Sequence, residues 1–403
     1  MKILTYADWK QRIAFDNIVY KDTKRYCLQL NTLEREIMDA EIRFYRTNFS
    51  ILQVMKHFKM LKTQKDKEIF IKAVLKRSKN IFYIPNKLKD YLKKKISKEF
   101  PQYRDFFLIL LDKGLNQSKK NPLPALLKKI LGAYYRPVVS KVNKIRKSHE
   151  IPLMKKTLKP EAIVNTARSI IKELQLDTQL ASIYGRNTIS KSVPISVVDD
   201  YGYGEWISKN VTYNNNRFFI YSNNNKITDV QLRHMVYFNV YPGYGHFYNN
   251  VVSDVGKSLS FDNGATYLIN GWAMFAMCKN KNTAYSQNFM IEGTTIARSL
   301  LRSNLEKGFE EVYIYVHGKY PKAKAMDYMM DYSQYPGHYL SYVLGALAIE
   351  CAIQKGFANN PIDFLKNMSE INCGDYFAIY TPKMQKKIAK NSITARVVSR
   401  FAK

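Results

Sequence analysis

The side chains in this chain best suited to bind a metal or to act as nucleophile and base are six histidines and four cysteines, spread over 403 residues. His234 and His246 stand twelve apart with no Glu between them. A hydrolytic zinc site takes three protein ligands from Cys, His, Asp or Glu and leaves a position open for water. It also needs a group able to take the proton of that water. A site rebuilt on His234 and His246 is one reading. Two ordinary polar residues beside a filled-in cleft is the other, and the missing Glu favours it. Cys27, Cys278, Cys351 and Cys373 show no C-x-x-C spacing, which excludes a zinc ribbon and a disulfide framework and leaves reduced, buried thiols as the expectation. Pairing Cys278 with a histidine finds no support in the spacing. Asp199-Asp200 precedes a Gly-rich loop and reads as a turn. Phosphate-binding glycine loops and a G-x-S-x-G elbow are absent.

Three clusters of backbone-shaping residues follow in order. They are Tyr241-Pro242-Gly243-Tyr244, then Asn270-Gly271-Trp272-Ala273, then Tyr335-Pro336-Gly337-His338 with Ser341-Tyr342 and Gly345. Over residues 195–355 this order resembles the DUF885 group of zinc metallopeptidases, whose signatures run roughly H-E-x-x-P-G-H, E-G-W-A and R-Y-x-x-x-P-G-Q-x-x-S-Y-x-x-G. The resemblance places the first metal-binding His on Phe238, the catalytic Glu on Asn239, the second His on Tyr244 and the carboxylate ligand on Asn270. Phe has no donor atom, and Asn and Tyr are poor zinc ligands. Neither a metal nor any other cofactor is therefore expected. Trp272, Tyr332, His338 and Tyr342 match positions that line the substrate side in that group. They imply a former substrate cleft, or structural hydrogen bonds where it was. Arg298 to Phe309 resembles a family segment ending in His-x-x-Gly-Trp, again without its His. The implied fold is mainly α, a large helical body with a cleft and a short β element, with Phe238, Tyr244 and Trp272 filling the former metal site.

Positioning these residues requires particular elements. Asn216 to Asn223 has the β-branched and aromatic content of a strand. Thr228 and Gln231 predict a capping box for the helix carrying Val236 to Val240. Gly264 to Cys278 predicts a buried helix, too short and polar at Asn270 to span a membrane. Pro160 predicts the first residue of a helix with Ile163, Val164, Ala167, Ile170, Ile171 and Leu174 inward. Upstream, Met38, Ile42, Tyr45, Phe49, Leu52 and Met55 recur at helical spacing, and helices are predicted over 70–82 and 103–115. Asn121-Pro122-Leu123-Pro124 predicts a break before a helix from Ala125 to Tyr135 that Pro137 ends. A helix through Gly345 to Lys355 is predicted to stop at Gly356, and Asn360-Pro361 to start another. The tail 383–403 is basic and amphipathic.

Net charge is +31 with 46% apolar residues. A globular protein is expected, without a transmembrane helix, and its first residues lack the apolar core of a signal peptide. Residues 1–150 hold 35 Lys and Arg against 14 Asp and Glu. The expected division is thus a strongly basic helical region at 1–150 and a peptidase-like region at 151–403, with a boundary near 148–158. Lys93, Lys94, Lys95, Lys98, Lys119, Lys120, Lys128, Lys129, Lys141, Lys144, Arg146 and Lys147 are the dense spots. Tyr91, Phe100, Tyr103, Phe106, Tyr134 and Tyr135 lie among them. That mixture suits phosphate contact with base stacking, although a passive solvated face fits the lysines too. The functional expectation is a catalytically inactive peptidase-like protein, structural or assembling with other proteins. It would be intracellular (cytoplasm or nucleus) or part of a virion, and contact nucleic acid through its basic region. The alternatives are a nucleic-acid or polyanion binder using the fold as scaffold, and a hydrolase with rearranged ligands.

Overall fold

The computed structural model describes residues 50–78, 81–145, 157–186, 189, 193–198, 203–207, 217–221, 227–252, 266–279, 284–334, 336–356 and 358–369. The helical stripe from Met38 to Phe49, Cys27, Cys373, Arg146, Lys147, Asp199-Asp200, the 148–156 boundary and the tail 383–403 lie outside the described residues.

Helices dominate, as the apolar periodicity predicts. The first helices among the described residues are α1 (Ile51–Lys59) and α2 (Gln64–Arg77), capped by Ser50 accepting from Leu52 N at 3.2 Å and Thr63 accepting from Asp66 N at 3.1 Å. Such caps satisfy amides that no helical carbonyl can reach. Next come α3 (Lys89–Glu99), α4 (Arg104–Leu115), α5 (Leu123–Leu131) and α6 (Tyr135–Lys144). α7 (Pro160–Leu176) starts at its proline and buries Ile163, Ala167, Ile170, Ile171 and Leu174, and α8 (Thr178–Tyr184) follows. A small sheet is formed by β1 (Ile195–Val198), β2 (Tyr203–Ile207) and β3 (Arg217–Tyr221). The remaining helices are α9 (Asp229–Asn239), α10 (Tyr244–Phe247), α11 (Thr266–Lys279), α12 (Ala284–Leu300), α13 (Leu305–His317), α14 (Lys322–Gln334), α15 (Pro336–Gln354) and α16 (Pro361–Ser369).

In the sheet, β3 lies in the middle, parallel to β1 and antiparallel to β2, with Phe218 opposite both Ile195 and Trp206. Phe218 and Ile220 are buried while Arg217, Phe219 and Tyr221 are half-buried, the period-two alternation of a strand with one covered face. The capping box ahead of α9 is complete: Thr228 accepts from Gln231 N and the Gln231 side chain accepts from Thr228 N.

The chain divides into two compact units, one made of residues up to Ile130 with Thr295–Tyr339, the other of Leu131–Thr294 with the residues from Leu340 onward. This cut differs from the one drawn at residue 150 by charge: residues from Leu131 onward, Lys141 and Lys144 among them, fall in the second unit, and 295–339 joins the first. In the first unit Phe58, Phe70, Phe100 and Phe107 are each at most 4% exposed, with the Phe58 and Phe107 rings edge to face at 5.3 Å. Burying each such side chain stabilises by about 1.5–3 kcal/mol. In the second unit Trp272 stacks on Phe364 at 5.9 Å and lies edge-on to Tyr184 at 6.1 Å.

Three local expectations need correction. The helix predicted over 70–82 is the latter part of α2, which ends at Arg77. Pro137 does not end a helix; it occupies the first turn of α6, where a missing amide hydrogen is harmless. Phe100, Phe106 and Tyr134, expected among the lysines as stacking surfaces, are 4%, 9% and 3% exposed. Their apolar rings gain more from the core than from water. Among the described residues no helix is long and apolar enough to cross a membrane.

Candidate functional site

The second unit brings all three expected ligand positions to one place. Phe238 lies near the end of α9, Tyr244 opens α10, and Asn270 lies in the first half of α11. The Tyr244 hydroxyl donates to Asn270 Oδ1, and the Asn270 amide donates to Ser341 Oγ of α15 at 2.8 Å. The Phe238 ring meets Tyr244 at 5.2 Å and Tyr342 at 5.8 Å. Asn270 and Ser341 are 3% and 1% exposed, so each polar atom paired here avoids a desolvation cost. Asn239, the expected position of the catalytic Glu, turns away: its amide donates to Met235 O of its own helix at 2.9 Å.

The glycines and prolines between these residues explain the convergence. Ideal Cβ atoms show that any side chain at Gly243 would strike the Phe238 and Tyr237 carbonyls, so only glycine lets the chain turn back from α9 into α10. At Gly271 an added Cβ would lie 2.5 Å from Gly345 C and 2.6 Å from Gly345 Cα. Helices α11 and α15 therefore touch backbone to backbone, which sets Asn270 beside Ser341. Trp272, one residue on, donates its indole N–H to Pro242 O at 2.9 Å, tying α11 to the turn before α10. The Tyr241-Pro242 peptide is cis.

Both histidines of the rebuilt-site reading are buried, and the ring nitrogens of His246 face other groups. His246 is 1% exposed; its Nε2 donates to Tyr184 O at 2.8 Å and its Nδ1 faces Asn250 Nδ2 at 3.2 Å. Burial lowers its pKa to about 4, against a smaller upward pull from the Tyr184 carbonyl. His234, 3% exposed on α9, is lowered to about 4 by burial and by neighbouring Arg233, which itself pairs with Glu173 at 2.6 Å. Among the described residues no group of three His, Cys, Asp or Glu could hold a metal ion. A zinc ion does not fit the donor set present. Phe238 offers no lone pair, and the Asn270 amide and the Tyr244 phenol are poor zinc donors beside the His and carboxylate ligands zinc takes.

The expected cleft residues part company. Trp272 is fully buried, so it packs the core rather than lining a groove. Tyr342 joins Phe238 in the second unit. Tyr332 and His338 belong to the first, where Tyr339 lies 4.5 Å from the Tyr332 ring and 5.3 Å from the His338 ring. Burial lowers His338 to about 4. Two features went unforeseen. Ser341, named in the third motif, accepts from Asn270 of α11, a pairing that motif order does not foretell. In the first unit the Tyr83 hydroxyl donates to the buried Glu306 carboxylate, and Asn86 N donates to the same group at 3.3 Å.

The basic positions also sort themselves. Lys93, Lys94, Lys98, Lys119, Lys120, Lys128, Lys129 and Lys144 are exposed. Lys141 is engaged by Glu350 at 2.8 Å and Gln354 at 3.0 Å, and Lys95 lies 3.7 Å from Glu99.

The fold and this cluster define a mainly α protein carrying a small mixed sheet and a buried hydrogen-bonded row of Tyr244, Asn270 and Ser341 where the peptidase ligands were expected. No protein-family model and no curated protein matches the chain. Among solved structures it is similar to one described as "the putative lipoprotein from Colwellia psychrerythraea". Identity is 13% and the TM-score 0.46, over 87% of this chain and 65% of that one, just under two thirds of its length. A likeness of that depth carries no function to this chain.

Proposed function

We propose that this protein is a catalytically inactive, metallopeptidase-like protein with a structural or assembly role, working inside a cell or virion. Its basic N-terminal region would contact nucleic acid or another polyanion. One observation carries the reading: Phe238, Tyr244 and Asn270 meet at one point, where Tyr244 and Asn270 hydrogen-bond to each other and Asn270 to Ser341, and the Phe238 ring packs on Tyr244 and Tyr342. Gly243, Gly271 and Gly345 are explained by close backbone packing and Trp272 by its indole bond to Pro242 O, contacts that a structural role keeps. The preserved order of the three motifs supports descent from the DUF885-type scaffold. Residues 51–130 hold 21 Lys and Arg against 6 Asp and Glu, and that excess supports an anionic partner for the same chain.

Elemental mass spectrometry of the purified protein tests the inactive reading, with His234→Ala and His246→Ala alongside. Substoichiometric zinc that does not change in the variants is expected. One zinc per chain, lost in either variant, would replace it with a hydrolase using rearranged ligands.

A further inference from the structure

We infer that the outer face of α3 docks on the phosphate backbone of duplex nucleic acid without reading its bases. This rests on the anionic-partner part of the function proposed above. One side of α3 is sealed into the first unit, with Leu92 and Ile96 at 1% and 0% exposed. The solvent side presents Lys94 and Lys98, with Lys93 on its flank. At a rise of 1.5 Å per residue these three lysines span about 8 Å of helix axis. A duplex carries one charge per about 1.7 Å, so several phosphates lie within reach of the row.

The acids of α3 offset this charge only in part. Glu99 is held by Lys59 at 2.7 Å and Lys95 at 3.7 Å; exposed Asp90, three and four residues before Lys93 and Lys94, offsets one charge of the face and leaves it net positive. Nearby Asp327 accepts from the Tyr91 hydroxyl at 2.9 Å.

The aromatic side chains decide between double and single strands. Proteins that hold single strands stack bases on exposed rings, at about 1–3 kcal/mol per base. Here Phe100 lies in the core against Phe58 and Phe107, at 5.9 and 4.4 Å, and Phe106 is buried beside them. Lys67 lies over the Tyr103 ring at 5.6 Å, and the Tyr103 hydroxyl donates to Gln64. The lysine row is therefore left with phosphate contact as its attraction, and a duplex offers the denser phosphate array. The same face has no exposed aliphatic or aromatic side chain to enter a bilayer interface.

The test is fluorescence anisotropy of the full chain with a labelled 20-base-pair DNA duplex, a single strand of equal length and vesicles containing phosphatidylserine, over a salt series. The duplex should bind more tightly than the single strand. In the triple variant K93Q/K94Q/K98Q, the slope of log K against log salt should flatten by about 2.7, at about 0.9 per lost phosphate contact. Circular dichroism should be unchanged, since none of the three residues is buried. An unchanged slope, tighter single-strand binding, or binding to vesicles without the duplex overturns the inference while leaving an anionic partner in place. Failure to bind any of the three removes the anionic partner itself.

Discussion

Gly271→Ala isolates the contact that sets Asn270 beside Ser341. The added methyl would sit 2.5 Å from Gly345 C, 2.6 Å from Gly345 Cα and 3.0 Å from Ala346 N, all backbone atoms that no rotamer change can move. Ordinary contact begins at 3.4 Å, so α11 and α15 would have to part by roughly 1 Å. Overpacking of this kind costs about 1–3 kcal/mol. Parting also stretches the 2.8 Å bond from Asn270 to Ser341 beyond useful length, a further loss of about 1 kcal/mol. Replacing a mid-helix glycine by alanine returns about 1 kcal/mol. The net expectation is a destabilisation of about 2 kcal/mol, or roughly 4–8 °C in Tm for a unit of this size. Urea and thermal melts followed by circular dichroism read it directly. Gly318→Ala is the control, since its Cβ would meet nothing closer than 3.4 Å and should shift stability by less than about 0.5 kcal/mol. If both alanine variants melt with the wild type, the backbone contact between α11 and α15 is not what places Asn270.

Acid should loosen the second unit through its histidines. The folded pKa of His246 is about 4, below its ordinary 6.5, so the unfolded chain binds the proton more readily between those values. The stabilisation is complete above pH 6.5 and is lost as pH falls toward 4, to a total of about 3 kcal/mol for this residue. His246→Gln keeps a donor for the Tyr184 carbonyl and cannot be protonated. Its stability difference between pH 7 and pH 4.5 should shrink relative to wild type in urea melts, and an unchanged difference would place the acid sensitivity elsewhere. In the first unit, Tyr83→Phe removes the hydroxyl that donates to Glu306 and leaves a buried carboxylate with the Asn86 amide. A loss of about 1.5–3 kcal/mol is expected in denaturant melts; a loss below 0.5 kcal/mol would show that water replaces the hydroxyl.

Much of the fold was legible in the residues because it is set by local rules. Pro160, the Thr228 and Gln231 box, the Asn360 cap accepting from Asp363 N at 2.9 Å, and Gly356 at φ 82° all mark helix ends where the sequence predicts them. Capping and left-handed backbone are decided within a few residues of chain. The inward stripe of α7 and the alternation of β3 follow from their periods. Pro137 misled because a proline inside an apolar run reads as a stop, whereas its position relative to the new helix start decides whether it breaks anything.

By itself, then, the sequence determined a mainly α chain, the concentration of positive charge before residue 150, and side chains of poor zinc-ligating chemistry at Phe238, Asn239, Tyr244 and Asn270. Those are properties of composition and side-chain chemistry. Tertiary structure decided which of these residues meet. It joined Tyr244, Asn270 and Ser341, turned Asn239 back onto α9, and buried Trp272. It also took Phe100 and Phe106 from among the lysines into the core. The physical reason is that burial and hydrogen-bond pairing are settled by residues distant in the chain, as Gly271 needs Gly345 and the Trp272 indole needs the Pro242 carbonyl. A pattern of residue types cannot name such partners until helix packing supplies them.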